Sequence, residues 1–186
     1  MVLTHTPVCD FGLKAIDFEL PGVDGRSWSL QQCMGSNGLL VMFICNHCPY
    51  VKSIFSKLVR DTNELKALGV NSVAIMANDV TEYPEDSFEN MLKVAQLQKF
   101  SFPYLLDASQ QVAKRYGAVC TPDFFGYNKQ FELQYRGRLD DSGSNHERSS
   151  APRELFEAMQ EIALSGRGPQ QQAASMGCSI KWRTGD

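Results

Sequence analysis

The chain has 186 residues, of which 43% are hydrophobic and 21% are charged, and its formal net charge is -3. This length and composition suit one globular domain with a sizeable core. No basic stripe indicates nucleic-acid binding, and no apolar run approaches the roughly 20 residues that a membrane span requires. We therefore expect neither a nucleic acid nor a membrane among its partners.

The first 17 residues lack the continuous apolar stretch of a signal peptide and contain His5, Asp10 and Lys14. This start predicts a cytoplasmic location. In a reducing compartment, the six cysteines of the chain are more often catalytic or metal-binding than joined in structural disulfides.

The predicted elements begin with an N-terminal extension, residues 1–35, that carries a β-hairpin. Residues 18–20 and 27–30 form its strands, and Asp24-Gly25 forms its turn. The apolar run from Leu39 to Ile44 then predicts a strand covered on both faces. Apolar residues recur at helical spacing from Val51 onward, which predicts one helix that ends at Gly69.

Strands and helices continue to alternate in the second half of the chain. The pattern predicts a strand at 73–77, a helix from Pro84, a strand at 104–106, a helix at 109–116, a hairpin of 124–127 with 131–135, a loop at 137–151 and a helix at 153–164. The tail, residues 166–186, finishes in apolar residues and is expected to dock on the body. This order predicts a single α/β domain over 1–186, with a central mixed sheet and helices on both faces.

The motif Cys45-Asn46-His47-Cys48 lies where the first buried strand gives way to the helical pattern near Pro49. A thiolate at a helix N-terminus is stabilised by unpaired N–H groups and the helix dipole, so its pKa falls below about 8.5. Pro49 costs little there, because a first-turn N–H has no intrahelical acceptor. Two thiols at this spacing can share a disulfide or a metal, and the strand-to-helix context favours the redox pair.

His47 adds positive charge beside a Cys45 thiolate when its imidazole is protonated. A stabilised thiolate stabilises the reduced dithiol and makes the disulfide a stronger oxidant, as in DsbA at about -120 mV compared with about -270 mV for thioredoxin. We expect this chain to lie on the oxidising side of thioredoxin.

These segments resemble the thioredoxin-like superfamily, and more narrowly its redoxin group of peroxiredoxin-like and thiol-disulfide interchange proteins. The matching segments are residues 17–30, 43–51, 116–125 and 177–182. The resemblance implies a thioredoxin-like fold and thiol-disulfide exchange without an organic cofactor or a metal. It assigns the attacking thiolate to Cys45 and the buried resolving thiol to Cys48.

Thr121-Pro122 occupies the place at which that superfamily carries a cis proline facing the dithiol. The resemblance implies that the backbone of Thr121 is free to pair with an extended substrate, because the proline offers no N–H. Asn46 and Pro49, which flank the thiols, are expected to contact the substrate together with Thr121. The expected partners are protein or small-molecule disulfides and thiols, and a reducing or oxidising partner protein.

Cys120 is the next candidate, because the implied fold places it two residues before the cis proline. It is expected to resolve a sulfenic acid, relay a disulfide or complete a metal site, or else to be a small buried hydrophobe. Cys178 reaches the site only if the tail folds back. Asp79 is a candidate proton acceptor for Cys48 or a cap of a turn.

Two other functions compete with dithiol exchange. In a thiol peroxidase, Cys45 is oxidised to a sulfenic acid that Cys48 or Cys120 resolves, and Arg136 or Arg138 serves the peroxide. Met42 stands where peroxiredoxins carry a threonine, which disfavours that chemistry. The second rival is a zinc or iron-sulfur module on Cys45, Cys48 and Cys120, with His47 or Cys178 as a further optional ligand, but the sequence contains only one close ligand pair.

Overall fold

The computed structural model describes residues 3–142 and 151–184. Five strands form the central sheet: β4 (Gly38–Phe43), β5 (Val70–Met76), β6 (Tyr104–Leu106), β8 (Asp123–Asn128) and β9 (Leu133–Tyr135). Their spatial order is β6-β5-β4-β8-β9. The pairs β4–β5 and β5–β6 are parallel, while β4–β8 and β8–β9 are antiparallel. The predicted mixed sheet and thioredoxin-like α/β architecture are confirmed.

The central strand β4 explains why its sequence is a continuous apolar run. All six of its residues are buried. Leu40 and Met42 join one core cluster, and the alternate residues Val41 and Phe43 join another on the opposite face. On that opposite face, the Phe43 ring packs edge-on against Phe125 at a centroid distance of 5.7 Å. Because both faces of the strand are buried, its sequence is apolar throughout instead of alternating between apolar and polar residues.

Six helices flank the sheet in the described ranges. They are α1 (Leu30–Cys33), α2 (Pro49–Lys52), α3 (Phe55–Ala67), α4 (Phe88–Gln98), α5 (Gln111–Tyr116) and α6 (Glu154–Ser165), with a 3-10 turn at Pro84–Asp86 before α4. None of the helices in these ranges combines the length and apolar character needed to cross a membrane. Within the predicted loop at 137–151, residues 143–150 lie outside the described residues.

The helix predicted from Val51 to Gly69 is divided into α2 and α3, so the prediction of one continuous helix is wrong. The Ser53 hydroxyl donates to the Tyr50 carbonyl at 2.7 Å. The N–H of Ile54 donates to the Val51 carbonyl at 3.1 Å instead of to the Tyr50 carbonyl. A serine side chain that competes for a backbone carbonyl in this way interrupts the regular ladder. The break leaves a short helix α2 directly after Cys48.

The two ends of the described chain meet over the motif. Strands β2 (Glu19–Pro21) and β3 (Ser27–Ser29) form the predicted N-terminal hairpin. A separate sheet contains β1 (Leu3–His5), β10 (Met176–Ser179) and β7 (Cys120–Thr121), in the order β1-β10-β7. Strand β10 of the tail lies between two antiparallel partners, β1 and β7.

Candidate active site

The Cys45–Cys48 motif forms a tight connection between β4 and α2, in which Cys48 is the N-cap residue and Pro49 begins the helix. Cys45 is 1% exposed and Cys48 is fully buried. The resemblance implies burial of Cys48 alone, whereas both thiols are buried in the structure. The reason is the tail, since β10 lies against this connection and brings a further sulfur onto Cys48.

Asp86 anchors the connection from the 3-10 turn and is fully buried. One of its carboxylate oxygens accepts the backbone N–H groups of Asn46 at 2.8 Å and His47 at 3.2 Å. The other accepts the Asn78 amide at 2.8 Å and contacts the His47 ring nitrogen Nδ1 at 2.7 Å. A single carboxylate thus fixes both the backbone between the two cysteines and the orientation of the imidazole.

The His47 ring lies between this carboxylate and the solvent, and it stacks on Tyr83 at a centroid distance of 5.3 Å. The hydrogen bond to Asp86 raises the pKa of His47 above 6.5, against an opposing effect of burial. Burial acts to raise the pKa of Asp86, but hydrogen bonds from His47 and Asn78 outweigh it and the pKa is lowered. The two side chains form an ion pair beside the sulfurs when His47 is protonated.

Three sulfurs form the sulfur row Cys45, Cys48 and Cys178, with Cys48 in the middle. Cys45 and Cys48 interact closely enough for each thiol to shift the pKa of the other, and the Sγ atoms of Cys48 and Cys178 are 2.9 Å apart. Cys178 is 1% exposed. Cys48 is therefore placed to form a disulfide with either neighbour.

Thr121, the residue before the proline, contacts two sulfurs with two different groups. Its hydroxyl lies 3.3 Å from the Cys45 Sγ, and its backbone carbonyl lies 3.2 Å from the Cys48 Sγ and accepts a hydrogen bond from it when Cys48 is protonated. A hydroxyl can donate to a thiolate, whereas a carbonyl only accepts. The peptide bond between Thr121 and Pro122 is cis, as the resemblance implies.

The hydrogen bonds among the sulfurs favour a negative charge on Cys48. The bond from the Cys45 thiol is the largest cause that lowers the pKa of Cys48 to about 5; burial opposes it, and a second bond from Cys178 assists it. The pKa of Cys45 is raised by its hydrogen bond to Cys48, by burial and by the Asp86 charge. These directions give Cys48 the lower pKa of the pair, whereas the sequence predicted the lower pKa for Cys45.

The profile of the AhpC/TSA family matches residues 11–142, which is more than half of the chain. The chain belongs to the AhpC/TSA family. Its fold and its family place it among thioredoxin-like redox proteins. No protein with curated function matches the chain significantly.

Solved structures place this AhpC/TSA chain among thioredoxin-like folds. An uncharacterized conserved protein from Geobacillus kaustophilus is 42% identical, with a TM-score of 0.92 and coverage of 100% of this chain and 99% of that one. The thioredoxin domain of a thiol-disulfide oxidoreductase from Bacteroides vulgatus is 18% identical, with a TM-score of 0.58 and coverage of 70% and 89%. The peroxidoxin BcpB from Mycobacterium tuberculosis is also 18% identical, with a TM-score of 0.57 and coverage of 85% and 96%. At this identity, the last two show the fold alone.

The two arginines considered for peroxide chemistry are engaged elsewhere in this AhpC/TSA chain. Arg136 donates to Asp123 at 3.1 Å and to the Gly117 carbonyl at 2.7 Å. Arg138 forms a two-pronged pair with Glu154, at 2.6 Å for its shortest bond. Their charges are therefore committed to structural pairs.

Cys120 does not enter the sulfur row. Its thiol donates to the Pro122 carbonyl at 3.4 Å, and burial strongly raises its pKa. This arrangement is that of a small buried hydrophobe, one of the alternatives left open by the sequence. Cys178 takes the position beside the pair that the sequence suggested for Cys120.

Two of the predicted substrate contacts differ in the structure. The side chain of Asn46 is buried, donates to the Glu85 carbonyl at 3.1 Å and accepts from the Tyr104 hydroxyl at 3.0 Å, so it supports the connection instead of facing a substrate. The backbone of Thr121 is not free either, because Thr121 pairs with Cys178 in the β7–β10 ladder. Pro49 is at the predicted first position of the helix.

Cys45, His47 and Asp86 bring possible metal-ligating atoms within 4.8 Å of one another. Both oxygens of Asp86 already accept two hydrogen bonds each within the protein. The carboxylate is thus explained as the anchor of the motif and of His47. This set also differs from the Cys45, Cys48 and Cys120 ligands that the sequence suggested.

Sequence reasoning missed Asp86, the acid nearest to the motif. It named Asp79, which accepts the N–H of Thr81 at 3.0 Å and so acts as the cap of a turn. Asp86 follows Glu85 in a polar stretch, and nothing in its local pattern separates a buried acid from a surface one. For Cys178, the sequence offered one indication of a place near the site: it lies in the apolar segment that ends the tail.

Proposed function

We propose that this protein is a thiol-disulfide oxidoreductase that exchanges disulfides through Cys45 and Cys48. The observation that carries the proposal is that Thr121, beside the cis proline, contacts both thiols: its hydroxyl lies 3.3 Å from the Cys45 Sγ and its carbonyl lies 3.2 Å from the Cys48 Sγ. Two thiols held on the same residue are placed to form a disulfide, and that residue offers each of them a hydrogen-bonding group.

The proposed reaction begins when strand β10 of the tail, the cover over the sulfurs, opens and the Cys45 proton passes to Cys48. The Cys45 thiolate then accepts a hydrogen bond from the Thr121 hydroxyl, and the Cys48 thiol donates one to the Thr121 carbonyl. Cys45 attacks one sulfur of the substrate disulfide, and the other sulfur leaves as a thiolate. Cys48 then loses its proton and attacks Cys45. The Cys45–Cys48 bond forms as the bond between Cys45 and the substrate breaks, and the second substrate sulfur leaves as a thiolate that takes up a proton.

The His47–Asp86 pair keeps the site close to electrically neutral. The Asp86 charge acts to raise the pKa of Cys45, and a protonated His47 opposes that charge at 2.7 Å from it. We infer that His47 is a positioning and charge-balancing residue. Loss of His47 leaves the Asp86 charge uncompensated beside the sulfurs.

The proposed substrates are protein or small-molecule disulfides and thiols, served by a reducing or oxidising partner protein. A cavity of about 180 Å³ next to the cis proline supports this choice, and its lining includes His5, Tyr50, Pro122 and Met176. Mixed aromatic, apolar and polar walls suit a peptide side chain near the cysteine. Exchange requires no organic cofactor, because the sulfurs carry the electrons.

Disulfide exchange by the purified protein tests this function. We expect the reduced parent to lose two thiols per chain on equilibration with glutathione disulfide, and to catalyse reduction of a glutathionylated peptide by dithiothreitol. Cys45→Ser should abolish the catalysis. Cys45-dependent consumption of hydrogen peroxide without peptide reduction would instead establish the peroxidase.

Thr121→Val tests the hydroxyl that faces Cys45. A hydrogen bond to a charged group contributes about 1.5–3 kcal/mol, so we expect the pKa of Cys45 to rise and the exchange rate to fall at least about tenfold. Thr121→Ser keeps the hydroxyl and is the matched control, with a rate close to the parent. Equal rates for the valine and serine variants would show that the hydroxyl does not stabilise the attacking sulfur.

A further inference from the structure

The third sulfur of the row is held in place by the tail strand. In β10, Cys178 pairs with Thr121 of β7 on one side and with Leu3 of β1 on the other. Beyond the strand, the N–H of Ile180 donates to the Val119 carbonyl at 3.2 Å and the N–H of Lys181 donates to the Asn78 side chain at 2.9 Å. The position of Cys178 is thus fixed by ladder and side-chain bonds on both sides of it.

Gly177 lets β10 approach the cis proline closely enough for this sulfur contact. A Cβ atom at this position would collide with the Thr121 carbonyl oxygen and would lie 3.1 Å from the Pro122 ring. The absence of a side chain allows the backbone of β10 to lie directly on the residue beside the dithiol. The next residue along β10 is Cys178.

The sulfur contact itself is short. The Sγ atoms of Cys48 and Cys178 are 2.9 Å apart, and a disulfide requires about 2.0 Å. β10 also occupies the backbone edge of Thr121, where the resemblance implies an extended substrate. The tail therefore presents a cysteine to the dithiol as a bound peptide would. Because the fold already holds Cys48 and Cys178 together, their reaction does not require the loss of translational and rotational entropy that a separate peptide would undergo.

We propose that Cys178 is a third redox cysteine, which attacks Cys48 in the Cys45–Cys48 disulfide and transfers the disulfide to Cys48–Cys178. This inference rests on the proposed function and adds a step to it. The bond between Cys48 and Cys178 forms as the bond between Cys45 and Cys48 breaks. The Cys178 proton is lost on attack, and Cys45 leaves as a thiolate and takes up a proton. No external oxidant or reductant is consumed.

The electrostatics of the row support this order of events. Burial and the hydrogen bond to Cys48 raise the pKa of Cys178 to about 12, and the negative charge of Cys48 adds to the effect. Once Cys48 is in a disulfide, that charge is gone and Cys178 loses a proton more readily. The third thiol thus becomes a better nucleophile at the moment when its target disulfide exists.

The transfer gives the oxidised protein two isomers with different reactivity. In the Cys45–Cys48 isomer, Cys45 is available for attack by a substrate thiol. In the Cys48–Cys178 isomer, Cys45 is a thiol again while the protein still stores the oxidising equivalent. The disulfide that links β10 to the motif also ties the tail over the site.

Disulfide mapping in Cys45→Ser tests the inference, because this variant cannot form the Cys45–Cys48 disulfide and any bond between Cys48 and Cys178 forms independently of it. The variant is treated with glutathione disulfide, alkylated and digested with trypsin, which releases residues 27–52 and 168–181 as separate peptides. We expect most of the protein to be an unlinked monomer on a non-reducing gel, with these two peptides joined by a disulfide. The double variant Cys45→Ser/Cys48→Ser is the matched control and should lose the link.

The outcomes separate this inference from the proposed function. If Cys45→Ser leaves Cys178 alkylated and Cys48 glutathionylated while the parent still catalyses exchange, the inference is wrong and the function stands. If the parent shows no exchange but the two peptides join in Cys45→Ser, the proposed function fails and the Cys48–Cys178 bond stands. In the oxidised parent, absence of the joined peptides at every time point would also overturn the transfer.

Discussion

Cys48→Ser is expected to abolish catalytic disulfide exchange and to remove the low-pKa thiolate of the protein. Cys48 contacts both other sulfurs of the row, so its loss removes both intramolecular disulfides at once. Cys45 then has no resolving thiol and should accumulate as a mixed disulfide with its substrate. In the parent, thiolate absorbance at 240 nm should titrate with a first midpoint near the pKa of about 5 given by Cys48, and this step should vanish in the variant.

Cys120→Ser is the matched control, because Cys120 is equally buried but bonds to the Pro122 carbonyl instead of a sulfur. Its exchange rate and its low-pH titration should equal those of the parent. Mixed disulfides that are trapped on Cys48 in Cys45→Ser, and never on Cys45 in Cys48→Ser, would reverse the order of attack. A titration unchanged by Cys48→Ser would place the thiolate on another cysteine.

Asp86→Ala is expected to lower the free energy of unfolding more than any other single side-chain change at the site. Removing one partner of a buried ion pair destabilises proteins by about 3–5 kcal/mol. Here the change also leaves the N–H groups of Asn46 and His47 and the amide of Asn78 without their acceptor. Urea unfolding of parent and variant measures the loss.

The pH dependence of this loss has a defined sign. The pKa of Asp86 is lowered by folding, so its contribution is complete above 3.8 and is lost as the pH falls through the folded value. The pKa of His47 is raised, so its contribution is complete below 6.5 and is lost as the pH rises through the folded value. The difference between parent and Asp86→Ala should therefore be greatest between about pH 4 and 6.5.

Glu85→Ala is the control for Asp86→Ala, because it removes a neighbouring acid whose residue is exposed. Its side chain can be lost at a cost of no more than about 0.5 kcal/mol. If the two variants unfold at the same urea concentration, the four hydrogen bonds of Asp86 do not hold the motif in place.

The sequence was sufficient for the features that rest on local pattern or on a motif. The run from Leu39 to Ile44 predicted β4, because a strand with a core on both faces must be apolar throughout. The cis bond at Thr121-Pro122 followed from the resemblance and is present. The mixed sheet followed from the alternation of strands with helices.

The features that the sequence did not predict depend on contacts between distant residues. The β1-β10-β7 sheet joins Leu3 to Cys178 and Cys178 to Thr121, through strands too short to show alternation. The division between α2 and α3 depends on one serine hydroxyl, which hydrophobic periodicity does not register. The lowered pKa of Cys48 depends on thiols from two separate elements, and a helix-terminus argument considers neither of them.

The burial of all three sulfurs makes the motion of the cover a measurable quantity. Cys45, Cys48 and Cys178 are each no more than 1% exposed, so a maleimide can react with these three thiols of the native protein only during a local opening. At high reagent concentration, trapping outpaces reclosing and the alkylation rate reaches a plateau equal to the opening rate. The same plateau is the ceiling on turnover with any external disulfide, however strong an oxidant that disulfide is.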